Sequence, residues 1–238
     1  MRRLVLPFDK IFCLNLCERP DRRDYMERQF QQLGISDQIT WFEVVKHPHT
    51  DFIAKKLREE KLGGVNNGGA FNCTREHYTM IKSSYLKGYN SILILEDDIS
   101  LLNDPDHFSS ILSEIPGDWD ILRFAALWNI AGLKEISSYS EMWNIIKSRF
   151  WGTSGYALNR EGMRFLIDKF DNHYHTADIP LFYYPDSLRM YTPLIPLGII
   201  KKSDYSKSDI QTHGSDTDIL RDPNYSQLPL DYSKYGPL

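Results

Sequence analysis

The stretch from Ser91 to Asp98 constrains the fold more than any other part of this sequence, because four consecutive apolar residues, 92–95, run directly into three carboxylates. An unbroken apolar run is typical of a strand that is buried on both faces, as in a sheet covered by helices. Charged side chains are rarely buried without a partner. Glu96, Asp97 and Asp98 are therefore expected at the carboxyl end of the strand, where open α/β sheets bind ligands.

These three carboxylates form a candidate metal site. Side chains two positions apart on a strand share a face, so Glu96 and Asp98 are predicted to converge on one point while Asp97 faces away from them. Oxygen ligands on one face suit Mg²⁺ or Mn²⁺, ions that usually also hold a substrate phosphate. The alternative is a solvated acidic turn in which Asp97 or Asp98 caps the next segment. A short motif alone does not decide between the two.

The first part of the chain predicts a parallel sheet. Residues 11–16 and 40–45 have the composition of strands, and the helix between them is predicted to be capped by Asp21 and to end at Gly34. A strand, a helix and a strand at this spacing form a βαβ unit, whose strands are parallel. With the buried strand at 92–95, this pattern predicts an α/β fold with a central, mostly parallel sheet flanked by helices.

Several later segments carry local signals. The glycine-rich stretch at 63–69 is predicted to be a surface loop, because no Gly-Lys-Ser/Thr follows it as in a Walker loop. A helix is expected over about 74–87. Residues 150–158 are predicted to be one strand, and Asn159 is expected to cap the helix that follows.

Composition is typical of a single α/β domain, predicted to span residues 1–210 ahead of an irregular polar tail at 211–238. The chain has 238 residues, 42% of them hydrophobic, and its net charge of -4 argues against a dedicated nucleic-acid binder. Three cysteines make no disulfide framework, no apolar run is long enough to span a bilayer, and the apolar part of the N-terminus is too short for a signal peptide. These features predict a cytoplasmic protein with at most peripheral contact at the inner face of a membrane.

Four separated segments then match one pattern in order and spacing. They are a strand with Asn-Leu and an Arg-x-x-Arg turn (11–22), a segment from Gly to His (69–77), the acidic strand (92–98) and Gly-Thr-Ser-Gly-Tyr (152–156). Together they resemble glycosyltransferase family 25, which includes bacterial lipooligosaccharide galactosyltransferases and procollagen galactosyltransferases. Glu76 stands where that family usually has serine.

The resemblance implies a nucleotide-sugar transferase of the GT-A type, a Rossmann-like α/β sandwich with one metal at an acidic motif. It further implies a UDP-sugar donor, UDP-galactose above all, Mn²⁺ or Mg²⁺ as cofactor, and inversion at the anomeric carbon. The acceptor would be a hydroxyl of a glycan or a glycoprotein, as in lipopolysaccharide biosynthesis. The acceptor itself and the oligomeric state do not follow from it.

Under this resemblance, Asp98 and Glu96 are the expected metal ligands, and Asp97 contacts the ribose or sugar of the donor. His213 is a candidate third ligand, with a solvated histidine of the tail as the alternative.

Asp178 is the candidate general base that removes the acceptor proton. Its alternative is a helix N-cap ahead of Pro180.

The remaining candidate residues would bind the donor. Asn15, Arg19 and Arg22 follow the first strand, at the nucleotide side of the fold, although an ion pair of either arginine with Glu18 or Asp21 is the alternative. His77 would bond to the donor or to a nearby group of the protein. The donor-binding set is completed by three residues of the Gly-Thr-Ser-Gly segment: Gly152, Thr153 and Gly155.

Two other functions compete with a glycosyltransferase. A nucleotidyltransferase on a similar sheet would need a glycine-rich loop with Arg or Lys directly after the first strand, and residues 15–18, Asn-Leu-Cys-Glu, are no such loop. A non-catalytic protein that keeps the fold as a binding module is the second alternative. The intact acidic motif argues against it without excluding it.

Overall fold

A computed structural model describes residues 4–46, 52, 55–56, 59, 68–125, 128–129, 136–147, 150–172 and 187–199. Asp178, His213 and the predicted tail at 211–238 lie outside these residues, so the predicted domain limits stay predictions. Among the described residues, no helix has the length and apolar character needed to cross a membrane.

Strands and helices alternate in the first part of the described chain, and strands predominate after residue 120. The strands are β1 (Lys10–Leu16), β2 (Ile39–Val44), β3 (Ser91–Glu96), β4 (Ser100–Leu101), β5 (Ile121–Arg123), β6 (Trp128–Asn129), β7 (Ile136–Ser138), β8 (Trp143–Ile146), β9 (Phe150–Trp151), β10 (Gly155–Asn159), β11 (Met190–Pro193) and β12 (Gly198–Ile199). The main helices are α1 (Pro20–Leu33), α2 (Gly68–Leu86), α3 (Pro105–Ser113) and α4 (Arg160–Asn172). A single 3₁₀ turn at Ser36–Gln38 leads into β2.

The central sheet confirms the predicted fold class. Eight strands lie in the order β2-β1-β3-β10-β5-β11-β8-β7. The pairings of β1 with β2 and β3, and of β5 with β11, are parallel, whereas β10 and β8 are antiparallel to both of their neighbours. All strands of this sheet except β8 and β10 therefore point in one direction, and helices cover the sheet.

Strand β3 is buried on both faces, as its apolar run predicts. Ile92 and Ile94 pack in one hydrophobic cluster with residues of α2 and α4, while Leu93 and Leu95 pack in a second cluster with residues of α1 and α3. Because successive side chains of a strand point to opposite faces, one four-residue run supplies both cores. The carboxyl end of β3 is thereby fixed between two layers of helices.

The start of α1 differs from the prediction that Asp21 caps it. Arg19 is the N-cap residue, Pro20 is the first helical residue, and the Asp21 carboxylate pairs with the Arg19 guanidinium at 2.8 Å instead of capping the helix. Proline fits this first position because its missing N–H would have no partner within the helix and its φ is already helical. The predicted end is confirmed, since Gly34 adopts the left-handed conformation with φ of 69°.

Two further boundaries differ from the sequence-based expectation. Helix α2 begins at Gly68, about six residues before the expected start, so the last two glycines of the predicted loop are helical. Glycine in a helix costs at most about 1 kcal/mol per residue, so it disfavours a helix without forbidding one. The predicted strand at 150–158 is divided into β9 and β10 at Gly152, whose φ of 101° ends regular pairing. The Asn159 side chain accepts a hydrogen bond of 2.8 Å from Gly162 N, as predicted for a cap.

Candidate functional site

A cleft lies at the carboxyl ends of β1, β2 and β3 and is closed on one side by the first turns of α2. Its volume is about 740 Å³ including the open mouth, and Glu96, Asp97 and Asp98 all line it. The prediction that Asp97 faces away from the other two carboxylates is wrong. Strand β3 ends at Glu96, so the alternation of a strand does not continue to residues 97 and 98.

Asp97 is held by two of the residues predicted at the nucleotide side. The amide Nδ2 of Asn15 donates to Asp97 Oδ2 at 2.8 Å, and Arg22 Nη1 donates to Asp97 Oδ1 at 2.9 Å. Burial raises the pKa of Asp97 above its ordinary value, and the hydrogen bonds from Asn15 and Arg22 offset this rise only in part. Strand β1 and helix α1 thus join the acidic end of β3 through a buried polar contact.

Asp98 is the least satisfied of the three carboxylates. Its Oδ2 lies 3.8 Å from Arg22 Nη1, and its Oδ1 is buried without a hydrogen-bond partner among the described residues. Burial first, and then the neighbouring Glu96 and Asp97 charges, raise the pKa of Asp98 to about 7 against the opposing charge of Arg22. A cation bound nearby would stabilise the ionised form of this carboxylate.

Glu96 is contacted by two side chains at one of its oxygens. Thr153 Oγ1 donates to Glu96 Oε1 at 2.6 Å, and His77 Nε2 lies 3.1 Å from the same oxygen. Burial opposes ionisation, but the contacts with His77 and Thr153 outweigh it and hold the pKa of Glu96 below its ordinary value. His77 is itself fully buried, with its Nδ1 2.8 Å from the hydroxyl of Tyr156.

The remaining predicted donor residues have structural partners. Arg19 forms the ion pair with Asp21 that was the alternative to donor binding, and its carbonyl accepts a hydrogen bond of 3.1 Å from Asn15 Nδ2. The Gly152 carbonyl accepts a hydrogen bond from Arg123. Gly155 lies inside the sheet, where an added Cβ would stand 3.2 Å from Ile99 Cδ1, so a larger residue there would need Ile99 to shift by a few tenths of an ångström.

Sequence reasoning placed His77 of α2 at the donor site, and the structure confirms that it lines the cleft, but the other residues that α2 contributes were missed. Gly69, Asn72, Cys73 and Glu76 line it from one side. Their spacing of three and four residues is that of one helical face, and it becomes visible only once the helix is known to begin at Gly68. Glu76, which is buried, pairs with the guanidinium of the preceding Arg75.

The sequence from residue 8 to residue 181, more than half of the chain, matches the model of "Glycosyltransferase family 25 (LPS biosynthesis protein)". The chain belongs to glycosyltransferase family 25. The resemblance drawn from the four sequence segments is therefore confirmed.

Individual relatives in family 25 are distant. The chain is 21% identical over 169 residues to the lacto-N-neotetraose biosynthesis glycosyltransferase LgtE of Neisseria meningitidis serogroup B, covering 66% of this chain and 59% of that protein. It is 26% identical over 183 residues to human procollagen galactosyltransferase 2, covering 67% of this chain and 27% of that protein. A human protein named inactive glycosyltransferase 25 family member 3 is 21% identical to this chain over 172 residues, covering 67% of this chain and 29% of that protein.

The chain thus spans less than two thirds of the length of these family 25 relatives. Among solved structures, the apo form of the glycosyltransferase GlyE of Streptococcus pneumoniae is similar with a TM-score of 0.41 and 13% identity, covering 93% of this chain and 52% of that one. A similarity of this size adds nothing to the argument about the site.

Proposed function

We propose that this protein is a metal-dependent, inverting glycosyltransferase that moves a hexose from a UDP-sugar to a hydroxyl of a glycan or a protein. The observation that carries the proposal is the convergence of Glu96, Asp97 and Asp98 on one cleft at the carboxyl ends of parallel strands. Membership of family 25 supplies the reaction class, and the cleft supplies a place for a nucleotide and a cation.

The residues of the cleft fit a divalent cation. Asp97 and Asp98 face Arg22, and one buried oxygen of Asp98 lacks a hydrogen-bond partner among the described residues. Glu96 and Asp98 would hold Mn²⁺ or Mg²⁺, which prefer such oxygen ligands. When bound, the ion would stabilise the negative charge on the diphosphate leaving group.

Residues of the chain itself orient these groups. Thr153 and His77 keep Glu96 ionised and directed at the cleft, and Asn15 fixes Asp97. Arg22 stands at the cleft wall with a guanidinium suited to phosphate oxygens. We retain Asp178 as the general base and His213 as a further ligand on the strength of the resemblance alone.

Galactose is the sugar we propose first, because one relative is named a procollagen galactosyltransferase. A lipopolysaccharide-type glycan is the acceptor we propose first, because the family model and LgtE carry names from that biosynthesis. Either choice is open to direct test with a panel of donors and acceptors.

The test is the thermal unfolding of the full chain with UDP-galactose, UDP-glucose, GDP-mannose and CMP-sialic acid, each with and without Mn²⁺. A ligand at one hundred times its dissociation constant stabilises the folded state by about 2.7 kcal/mol, on the order of 5–10 °C for a chain of this size. We expect this shift for UDP-sugars with Mn²⁺ and its loss in Asp98→Asn. The matched control is Asp106→Asn, an exposed carboxylate on α3, which should keep the shift.

A binding module without turnover is the second candidate function, and the human relative named inactive supports it. The two functions differ in one readout. A transferase moves the sugar of the UDP-sugar that shifts its unfolding temperature to an acceptor or to water, and so releases UDP. A binding module shows the same thermal shift without releasing UDP. If no nucleotide shifts the unfolding temperature, with or without Mn²⁺, both proposals fail.

A further inference from the structure

A second group of metal-ligating side chains lines the same cleft. One ligand atom each of Cys73, His77 and Glu96 lies within 4.8 Å of the other two. Cys73 and His77 are four residues apart on α2 and therefore share a face of the helix, while Glu96 ends β3 opposite that face. Two secondary-structure elements thus bring sulfur, nitrogen and oxygen ligands together.

This set of ligands differs in kind from the carboxylates beside it. Thiolate and imidazole groups favour Zn²⁺ over Mg²⁺ or Mn²⁺, and three protein ligands with one open position are the usual arrangement of an accessible zinc site. Cys73 lines the cleft, so an ion and its fourth ligand, a water molecule, can reach the group from solvent.

The position of His77 suits a metal ligand. Its Nδ1 is held 2.8 Å from the Tyr156 hydroxyl, a group that can either donate or accept a hydrogen bond there. That contact directs Nε2 towards Glu96, 3.1 Å away. Ligating histidines commonly have their second nitrogen fixed in this way by a neighbouring group.

We propose that Cys73, His77 and Glu96 bind Zn²⁺ at the inner wall of the cleft. Metal–ligand bonds of about 2.0–2.3 Å place tetrahedral ligand atoms about 3.5 Å apart, so Cys73 Sγ moves inwards and the contact between His77 and Glu96 opens. The Cys73 thiol releases its proton to water as the thiolate binds the ion, and a proton carried by His77 Nε2 leaves to water in the same step, because ligating thiols and imidazole nitrogens are deprotonated. Zn²⁺ binding by these residues does not depend on whether the proposed transfer reaction occurs.

One consequence does rest on the proposed function. Glu96 belongs to both ligand sets, so Zn²⁺ at this site withdraws it from the carboxylates that would hold Mn²⁺. Zn²⁺ is then an inhibitor of Mn²⁺-dependent donor binding, and removal of the Cys73 sulfur relieves the inhibition.

The experiment titrates the metal-free full-length chain with Zn²⁺ against a chromophoric chelator, and with Co²⁺ to observe the absorption band of a cobalt–thiolate bond. We expect one Zn²⁺ per chain and a thiolate band. In Cys73→Ser we expect at least a tenfold loss of affinity and no band. Cys17→Ser is the matched control, an exposed cysteine outside the cluster, and should bind as the parent protein does.

A positioning role of Tyr156 gives a second readout. Tyr156→Phe should weaken Zn²⁺ about tenfold, as changes next to a metal ligand do, while the thiolate band remains. The proposal is overturned if the parent protein shows no thiolate band, if Cys73→Ser binds Zn²⁺ unchanged, or if Cys17→Ser removes the band. No nucleotide is present, so these outcomes are independent of whether UDP-sugars bind.

Discussion

Asn15 and Asp97, which are 82 positions apart, are joined by a buried hydrogen bond of 2.8 Å between the ends of two neighbouring parallel strands. The amide donor offsets part of the cost of burying the carboxylate. Together with the hydrogen bond from Arg22, this contact holds the turn that carries the acidic motif.

Asn15→Ala should therefore destabilise the protein. The buried Asp97 carboxylate would lose a donor, at a cost of about 1–3 kcal/mol in the free energy of unfolding, measured by urea denaturation. Asn103→Ala, at an exposed site, should change it by less than about 0.5 kcal/mol. Asn15→Asp places two carboxylates in contact, so it should lose more stability between pH 5 and pH 8 than the parent protein, in which Asp98 already titrates over this range. A loss equal to that of the parent would contradict the assigned contact.

Gly162 supplies a prediction about the fold itself. A Cβ at this position would overlap with the backbone carbonyl oxygen of Asp120, where α4 packs against the start of β5. Alanine normally stabilises a helix relative to glycine by up to about 1 kcal/mol. We expect the opposite sign for Gly162→Ala, a loss of about 1–3 kcal/mol by overpacking.

The control for Gly162 is Gly117→Ala. Gly117 lies in an exposed turn, and an added Cβ there would meet no atom within 4 Å. Its free energy of unfolding should stay close to that of the parent protein. If both variants unfold at the same urea concentration as the parent, the packing between α4 and β5 is looser than the contact indicates.

The sequence predicts the fold well wherever a pattern is local. The apolar run at 92–95 identified a strand buried on both faces, and its acidic end identified the edge of the sheet that bears the cleft. The prediction failed for Asp97, because strand alternation stops where the strand stops. It also failed at the start of α1, where Pro20 begins the helix ahead of the residue expected to cap it.

The contacts of Glu96 could not be predicted from the sequence. They depend on a histidine from α2 and on Thr153, which precedes β10, brought together only by the order of strands in the sheet. Short motifs place residue types along the chain, but the partner of a side chain depends on tertiary packing. The group of Cys73, His77 and Glu96 was hidden for the same reason.

Asp178 remains the predicted general base, outside the described residues. Asp178→Asn should lower the rate of transfer by about 10²–10⁴-fold, because general-base catalysis contributes about that much. The thermal shift by UDP-sugar with Mn²⁺ should stay unchanged, since the base contacts the acceptor. Asp168→Asn, at an exposed site on α4, is the control and should transfer at the parent rate. Undiminished transfer by Asp178→Asn would exclude it as the base.

Asp98 gives the metal-free protein a defined dependence on pH. Its pKa is raised to about 7 in the folded state by burial, by Glu96 and by Asp97, against the charge of Arg22, whereas in the unfolded chain it is about 3.9. Between these values the folded state holds a proton that the unfolded state has lost. The contribution of Asp98 to stability therefore falls as pH rises from about 4 to about 7 and is constant above.

Asp98→Asn removes this titration. Without metal, the variant should match the parent protein near pH 4 and exceed its free energy of unfolding at pH 8 by at least about 1 kcal/mol, since one pKa unit corresponds to about 1.4 kcal/mol. With Mn²⁺ at pH 8 the order should reverse, because a bound cation stabilises only the protein that keeps the Asp98 carboxylate. Urea denaturation at both pH values, with Mn²⁺ and with chelator, measures all four conditions. A variant less stable than the metal-free parent at pH 8 would show that Asp98 is satisfied within the protein and does not await a cation.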